Sequence, residues 1–325
     1  MTKLSGRTTW LAALGALTLL VSESEPAASV RKPDRADAQV PRDLEPVDIQ
    51  MKNVNFRLAK DIVLEVRALR GQLRTTNPTV PVSFDDTTSF AVDIDSAEVA
   101  ISAASLTALM NSYVLAYSEA PIKKVKVTIR GDRIIQEGTV HKGVDLPFEI
   151  EGSVSATSDG DIRLHSTKIK AAHVPVKGLL HLFGEDLSKL VNQNAGRGMK
   201  IAGDDIILNL RALTPPPHLA GRVTRVGIVD GKIIQVFDSG RHLPVLHPSF
   251  ESAAYIYDRG GTLRFGKLLM NDADLEIVGD KPKVFDFFQR EYLKQLVPGY
   301  SKTTPSNGLV AHMLDYSHFS TPARP

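Results

Sequence analysis

Apolar residues recur at helical spacing over residues 103–117, where Leu106, Leu109, Met110, Tyr113, Val114 and Tyr117 fall on one stripe. The period then changes to two. Val125, Val127 and Ile129 alternate with Lys124, Lys126, Thr128 and Arg130, Gly131-Asp132 turns the chain, and Arg133 to Val140 returns. A third strand places Leu146, Phe148, Ile150 and Val154 on one face, Ser158-Asp159-Gly160 is a turn, and residues 161–170 leave it as a fourth strand. From Val176 to Val191 the helical period is back, with Leu179, Leu180, Phe183, Leu187 and Leu190 on one side. The unit predicted is an antiparallel meander with one apolar face, flanked by two helices that each have one apolar face.

Upstream, residues 49–58 and 62–73 both alternate and form a long hairpin through Ala59-Lys60-Asp61, and Phe90, Val92 and Ile94 mark a strand leading into the first helix. Downstream, Ile206, Leu208 and Leu210 predict a strand ended by Pro215-Pro216-Pro217. Asp230-Gly231 followed by Lys232-Ile233-Ile234-Gln235 repeats the solution used at Gly131-Asp132 and Arg133-Ile134-Ile135-Gln136. Arg259-Gly260-Gly261 predicts a further hairpin within residues 255–270, and residues 282–297 predict a helix with Phe285, Phe288, Tyr292, Leu293 and Leu296 on one stripe.

The expected organisation is therefore a signal peptide over 1–29, a charged, Pro-containing spacer over 30–46, an antiparallel sheet with two helices over 47–214, its continuation with a hairpin and helix over 215–300, and a surface arm over 301–325. Lys3 and Arg7 precede an uncharged run to Val21 and the small residues Ala27-Ala28-Ser29, the pattern of a secretory leader. Export to the periplasm follows. The alternative is an uncleaved anchor at the inner membrane. Absence of cysteine excludes disulfides, thiol nucleophiles and a lipoprotein lipid anchor, and a net charge of +2 argues against a nucleic-acid binder.

Catalytic motifs are missing: there is no Gly-x-Ser-x-Gly and no P-loop, and Gly196-Arg197-Gly198 lacks the strand and third glycine of a phosphate cradle. His165, His173 and His181 do not converge in the predicted elements, His242 and His247 lack helical zinc spacing, and Asp85-Asp86 and Asp93/Asp95 read as a turn and a solvated strand face. No metal, cofactor or catalytic residue is assigned, and the chain reads as a non-enzyme. The basic face of Lys123, Lys124, Lys126 and Arg130, with Arg133 nearby, suits either plain solvation or anionic lipid headgroups.

From Val92 to Leu190 the order of elements resembles the tubular lipid-binding (TULIP) superfamily, in particular its small exported bacterial members. The resemblance rests on the helix with Leu106, Leu109, Met110 and Tyr113, the hairpin from Val125 to Val140, the strand from Leu146 with its Ser158-Asp159-Gly160 turn, and Val174-Pro175-Val176 opening the next helix. It implies an α+β fold in which a long, strongly twisted antiparallel sheet curls around one or two amphipathic helices. It also implies a carrier that holds a lipid or other long hydrophobic molecule. The expected ligand-binding residues are Leu106, Leu109, Met110, Tyr113, Val114, Tyr117, Val125, Val127, Ile129, Phe148, Ile150, Leu179, Leu180 and Phe183. A membrane-tethered scaffold with a closed core and a hydrolase of unrecognised type are the alternatives.

Overall fold

Two sheets divide the strands, and their division follows the chain. The computed structural model describes residues 44–320 apart from 119, 121, 143, 172–197 and 251. The first strands are β1 (Val47–Ala59), β2 (Ile62–Thr75), β3 (Val82–Ser83) and β4 (Phe90–Ser102), which leads directly into α1 (Ala103–Leu109) and a π-helical turn at Met110–Val114. There follow β5 (Ile122–Arg130), β6 (Arg133–Lys142), β7 (Val144–Ala156), β8 (Ile162–Ala171), β9 (Met199–Ala202), β10 (Asp205–Leu208) and the helical turn α2 (Leu210–Leu213). The remainder is β11 (His218–Ala220), β12 (Val223–Val229), β13 (Lys232–Asp238), β14 (Tyr255–Phe265), β15 (Leu268–Gly279), β16 (Phe285–Phe288), α3 (Tyr292–Leu296), β17 (Tyr300–Thr303), β18 (Leu309–Met313) and α4 (Ser317–Ser320).

The larger sheet runs β12-β13-β4-β2-β1-β14-β15-β18-β17, with β11, β16 and β3 pairing in parallel onto β4, β1 and β14. The smaller is the antiparallel series β5-β6-β7-β8-β10-β9. Strands account for 58% and helices for 11%, so the protein is mostly β with a large mixed sheet, and neither sheet is strongly curled. β1 and β2 bury close to every second residue, which gives the larger sheet an aliphatic face along these strands. One continuous core joins both faces, taking Leu58, Leu64 and Val99 from the larger sheet and Val127, Ile150 and Leu164 from the smaller. The sheets are also stitched at one corner, where Val223 N donates to Gly160 O (3.0 Å) and the Arg222 guanidinium to Ser158 O (3.1 Å).

Several sequence expectations are corrected. The interior is built between two sheets, where one sheet curled around helices was expected. The first helix ends as a π turn at Val114, short of Tyr117. The second, Val176–Val191, lies outside the described residues, as do 1–29 and 30–43. Arg259-Gly260-Gly261 is no hairpin: β14 runs unbroken from Tyr255 to Phe265, and its partner β15 begins after Gly266-Lys267. Gly261 has φ +57°, and a Cβ there would lie 2.7 Å from the carbonyl oxygens of Glu45 and Pro46, so the glycines permit a close crossing of backbones instead of a turn.

The helix over 282–297 is also replaced. Phe285–Phe288 is a fully buried strand pairing in parallel with Val54–Arg57, and only Tyr292–Leu296 is α-helical. Phe285 and Phe287 pack into an aromatic cluster in which Phe84 contacts Phe90, Phe265, Phe287 and Tyr292 at centroid distances of 5.7–6.4 Å. Nor are residues 301–320 a surface arm, because β18 adds to β15 and buries Val310, Ala311 and Met313.

Candidate functional site

The site is the aliphatic seam between the two sheets, and α1 closes one end of it. Ser102 caps α1 by accepting from Ser105 N (3.1 Å). Ser105 Oγ accepts from Val63 N of the larger sheet (3.2 Å), while Thr107 Oγ1 accepts from Val127 N (2.9 Å) and Asn111 Oδ1 from Val125 N (2.9 Å) of the smaller. Asn111 Nδ2 also donates to Val125 O (2.5 Å). β5 is an edge strand, and its exposed backbone groups are satisfied by helix side chains where a further strand would otherwise add. The helix is thus a strap tied to both sheets by short polar side chains, leaving its apolar stripe to face inward.

Two small cavities lie along the seam. The first, of about 70 Å³, is lined by Leu58, Leu64, Val99, Ile101, Ile233 and Phe237 from the larger sheet, Ile134, Val154, Ile162 and Leu164 from the smaller, and Leu106 and Leu109 of the strap, among others. The second, of about 40 Å³, is lined by Met110, Ile122, Val125, Phe148, Ile150, Ile169, Met199 and Ile201 among others. Gln136 borders both cavities, and Gln235 borders the first from the opposite sheet.

These glutamines come from the two matching hairpins. Ile134 and Gln136 face the seam from β6, and Ile233 and Gln235 face it from β13, so Ile-Ile-Gln is used twice on opposing walls. Gln235 is buried, and neither amide makes a hydrogen bond to another described residue. Thr214 also borders the first cavity, but its hydroxyl is occupied by Leu210 O and Leu219 N. A buried amide without a partner costs about 1–3 kcal/mol. Here one buried amide, Gln235, and one half-buried amide, Gln136, border the same largely apolar cavity.

The structure brings together Leu106, Leu109, Met110, Val125, Phe148 and Ile150 of the expected ligand-binding set along these cavities. Val114 and Val127 are buried core, and Tyr113, Tyr117 and Ile129 pack against it without lining either cavity. Leu179, Leu180 and Phe183 lie outside the described residues. The larger sheet's contribution and the glutamine pair were missed by sequence reading. Their signal was the repeated Ile-Ile-Gln, whose convergence requires knowing that the two hairpins sit in opposed sheets.

Lys123, Lys124, Lys126 and Arg130 are all exposed. Across the strands, however, Lys126 pairs in register with Glu137, Glu137 with Glu149, and Glu149 with Lys170. The hydrogen bond from Lys170 to Glu149 (2.6 Å) lowers that carboxyl's pKa. The face carries mixed charge, not a basic strip.

Several groups that could do chemistry elsewhere are tied into structure. Asp95 is no solvated strand residue: it is buried and accepts from Ser239 Oγ (2.7 Å) and Leu243 N (3.2 Å). Asp85 accepts from Tyr292 OH (2.6 Å), and burial followed by that bond pushes the phenol's pKa up. Tyr257, raised to about 12 by burial and by Asp274, donates to Asp274 (3.1 Å). His165 pairs with Asp205 (2.7 Å) on an exposed face, while His173 and His181 lie outside the described residues. No helix among the described residues is long and apolar enough to cross a membrane. Comparison with protein families, curated proteins and solved structures finds no match for this chain.

Proposed function

We propose that the protein is an exported, non-enzymatic carrier that holds one slender hydrophobic molecule, an acyl chain or similar lipid, in the seam between its sheets. The observation that carries this reading is the pair of amides, Gln136 and Gln235, which make no hydrogen bond to another described residue and face an otherwise largely apolar cavity from opposite walls. A core built only for stability would favour leucine or valine at the buried Gln235, because an apolar side chain there gains burial free energy that an amide does not. The ligand therefore has an apolar body and one hydrogen-bonding group, such as a carboxyl, ester or hydroxyl, read by the two amides.

A cavity of about 70 Å³ is smaller than the roughly 150 Å³ that admits benzene. Loading then requires α1 to withdraw Leu106 and Leu109 from the seam. The strap is suited to this, since its few hydrogen bonds to the sheets are from side chains and its C-terminal turn is π-helical, a geometry frequent at functional sites. The resemblance in element order to tubular lipid-binding proteins supports the same class of ligand.

Lipid extraction and native mass spectrometry of the purified full chain test the proposal, with cis-parinaric acid as a fluorescent probe. Leu106→Trp, which fills the first cavity from a half-buried position, is expected to weaken probe binding at least tenfold while leaving the circular dichroism spectrum unchanged. Gln136→Leu with Gln235→Leu should cost about tenfold, the value of one to two hydrogen bonds. A protein recovered without extractable lipid, whose Leu106→Trp variant binds the probe as the parent does, would leave the scaffold with a closed core as the function.

A further inference from the structure

β15 and β18 are parallel neighbours, Gly279 pairing with Met313, so their C-terminal ends leave the sheet at the same place. Just beyond them stand Asp280, Asp315 and, one residue into α4, His318. One ligating atom from each of the three lies within 4.8 Å of the others. Asp280 Oδ2 is 3.0 Å from His318 Nε2. The carboxylates are also oriented from behind: Asp280 Oδ1 accepts from Asp315 N (2.8 Å), and Asp315 Oδ1 accepts from Asp286 N (2.6 Å).

A second observation singles out this cluster. The Asp315 side chain is completely buried, yet its Oδ2 accepts no hydrogen bond. Buried carboxylate oxygens are normally hydrogen-bonded or coordinated, because desolvation is otherwise uncompensated. Lys281 Nζ stands 3.4 Å from Oδ2 as an ion pair but donates its hydrogen bond to Ser317 Oγ (2.8 Å), and its side chain is half-exposed.

We propose that Asp280, Asp315 and His318 bind a divalent transition-metal cation that fastens the C-terminal turn to the end of β15. Imidazole beside two carboxylates selects Zn²⁺, Mn²⁺ or Fe²⁺ over Ca²⁺ and Mg²⁺, which take oxygen ligands. The cation replaces the His318–Asp280 contact, satisfies Asp315 Oδ2 and displaces Lys281. The backbone donors to both carboxylates supply the orienting outer shell that such sites need. Sequence reading passed over Asp315-x-x-His318, whose i, i+3 spacing was a legible signal. Its third member lies in another strand's end.

The full chain, stripped with chelator, is titrated with Co²⁺ followed by its visible absorption and with Zn²⁺ by calorimetry. One equivalent of each is expected to bind, Co²⁺ with ligand-field bands. Exposed His318→Ala and Asp280→Asn should each weaken binding at least tenfold. Lys281→Met, which removes the competing ammonium, should tighten it several-fold. An absence of saturable binding, binding unchanged in His318→Ala, or weaker binding in Lys281→Met would each overturn the proposal.

Discussion

Replacing Asp258 with leucine is expected to stabilise the protein, by an amount that grows with pH. Asp258 sits in β14 between Ile49 of β1 and Leu275 of β15 and is fully buried, with no hydrogen bond to either carboxylate oxygen among the described residues. Burial raises its pKa well above the ordinary carboxylate value, so the folded protein holds this acid neutral where the unfolded chain ionises it. Below about pH 4 both states carry the proton, and no penalty arises. Above it the unfolded state alone sheds the proton, and stability falls by about 1.4 kcal/mol per pH unit until Asp258 itself ionises.

Asp258→Leu removes that slope together with the unpartnered oxygens, and Asp258→Asn removes the slope alone. Urea denaturation at pH 4.5, 6 and 8 should find the gain smallest at pH 4.5 and largest at pH 8, with leucine above asparagine throughout. Parallel denaturation curves for parent and variants at all three pH values would mean that the carboxyl is ionised or partnered in solution.

Asp258 also shows where sequence reading stops. Alternation located β1, β2, β4 and the hairpins β5–β6 and β7–β8, because in those strands one face is apolar and the other charged, and period alone decides. It failed in β14, where Tyr255 to Asp258 are all buried and a segment covering the outer face hides the polar side: Glu276 accepts from the backbone of Ser249 (2.5 Å) and Phe250 (2.9 Å). With both faces covered there is no alternation to read, and Arg259-Gly260-Gly261 then looks like a turn. In residues 285–296 the aromatic spacing fitted a helix, but pairing with β1, 229 residues away from Arg57 to Asp286, outweighs local periodicity. For the seam, the inward stripe of α1 was legible and six of the expected residues lie along the cavities, but the facing wall was not legible, since nothing local in β13 says which sheet it joins.

That long-range pairing supplies the second large effect. Arg57 donates to Asp286 through Nε (2.6 Å) and Nη2 (2.9 Å), a bidentate pair in which both side chains are mostly buried. Around it, Asp286 N donates to Asp315, Tyr316 N donates to Asp286 O, and Gln295 bridges Phe288 N, Asp286 O and Leu314 O. β1, β16, α3 and the end of β18 are therefore held by one polar knot. Asp286→Ala strands a buried guanidinium and should cost about 3–5 kcal/mol, lowering Tm by on the order of 10 °C. Arg57→Met in the same background should recover most of that loss, because the penalty lies in the unpaired charge more than in the missing bond. Calorimetry should show both variants melting in a single transition, since the residues after Pro282 complete the larger sheet. If Asp286→Ala instead splits off a low-temperature transition and leaves the main one in place, the C-terminal strands are an appendage on a fold that stands without them.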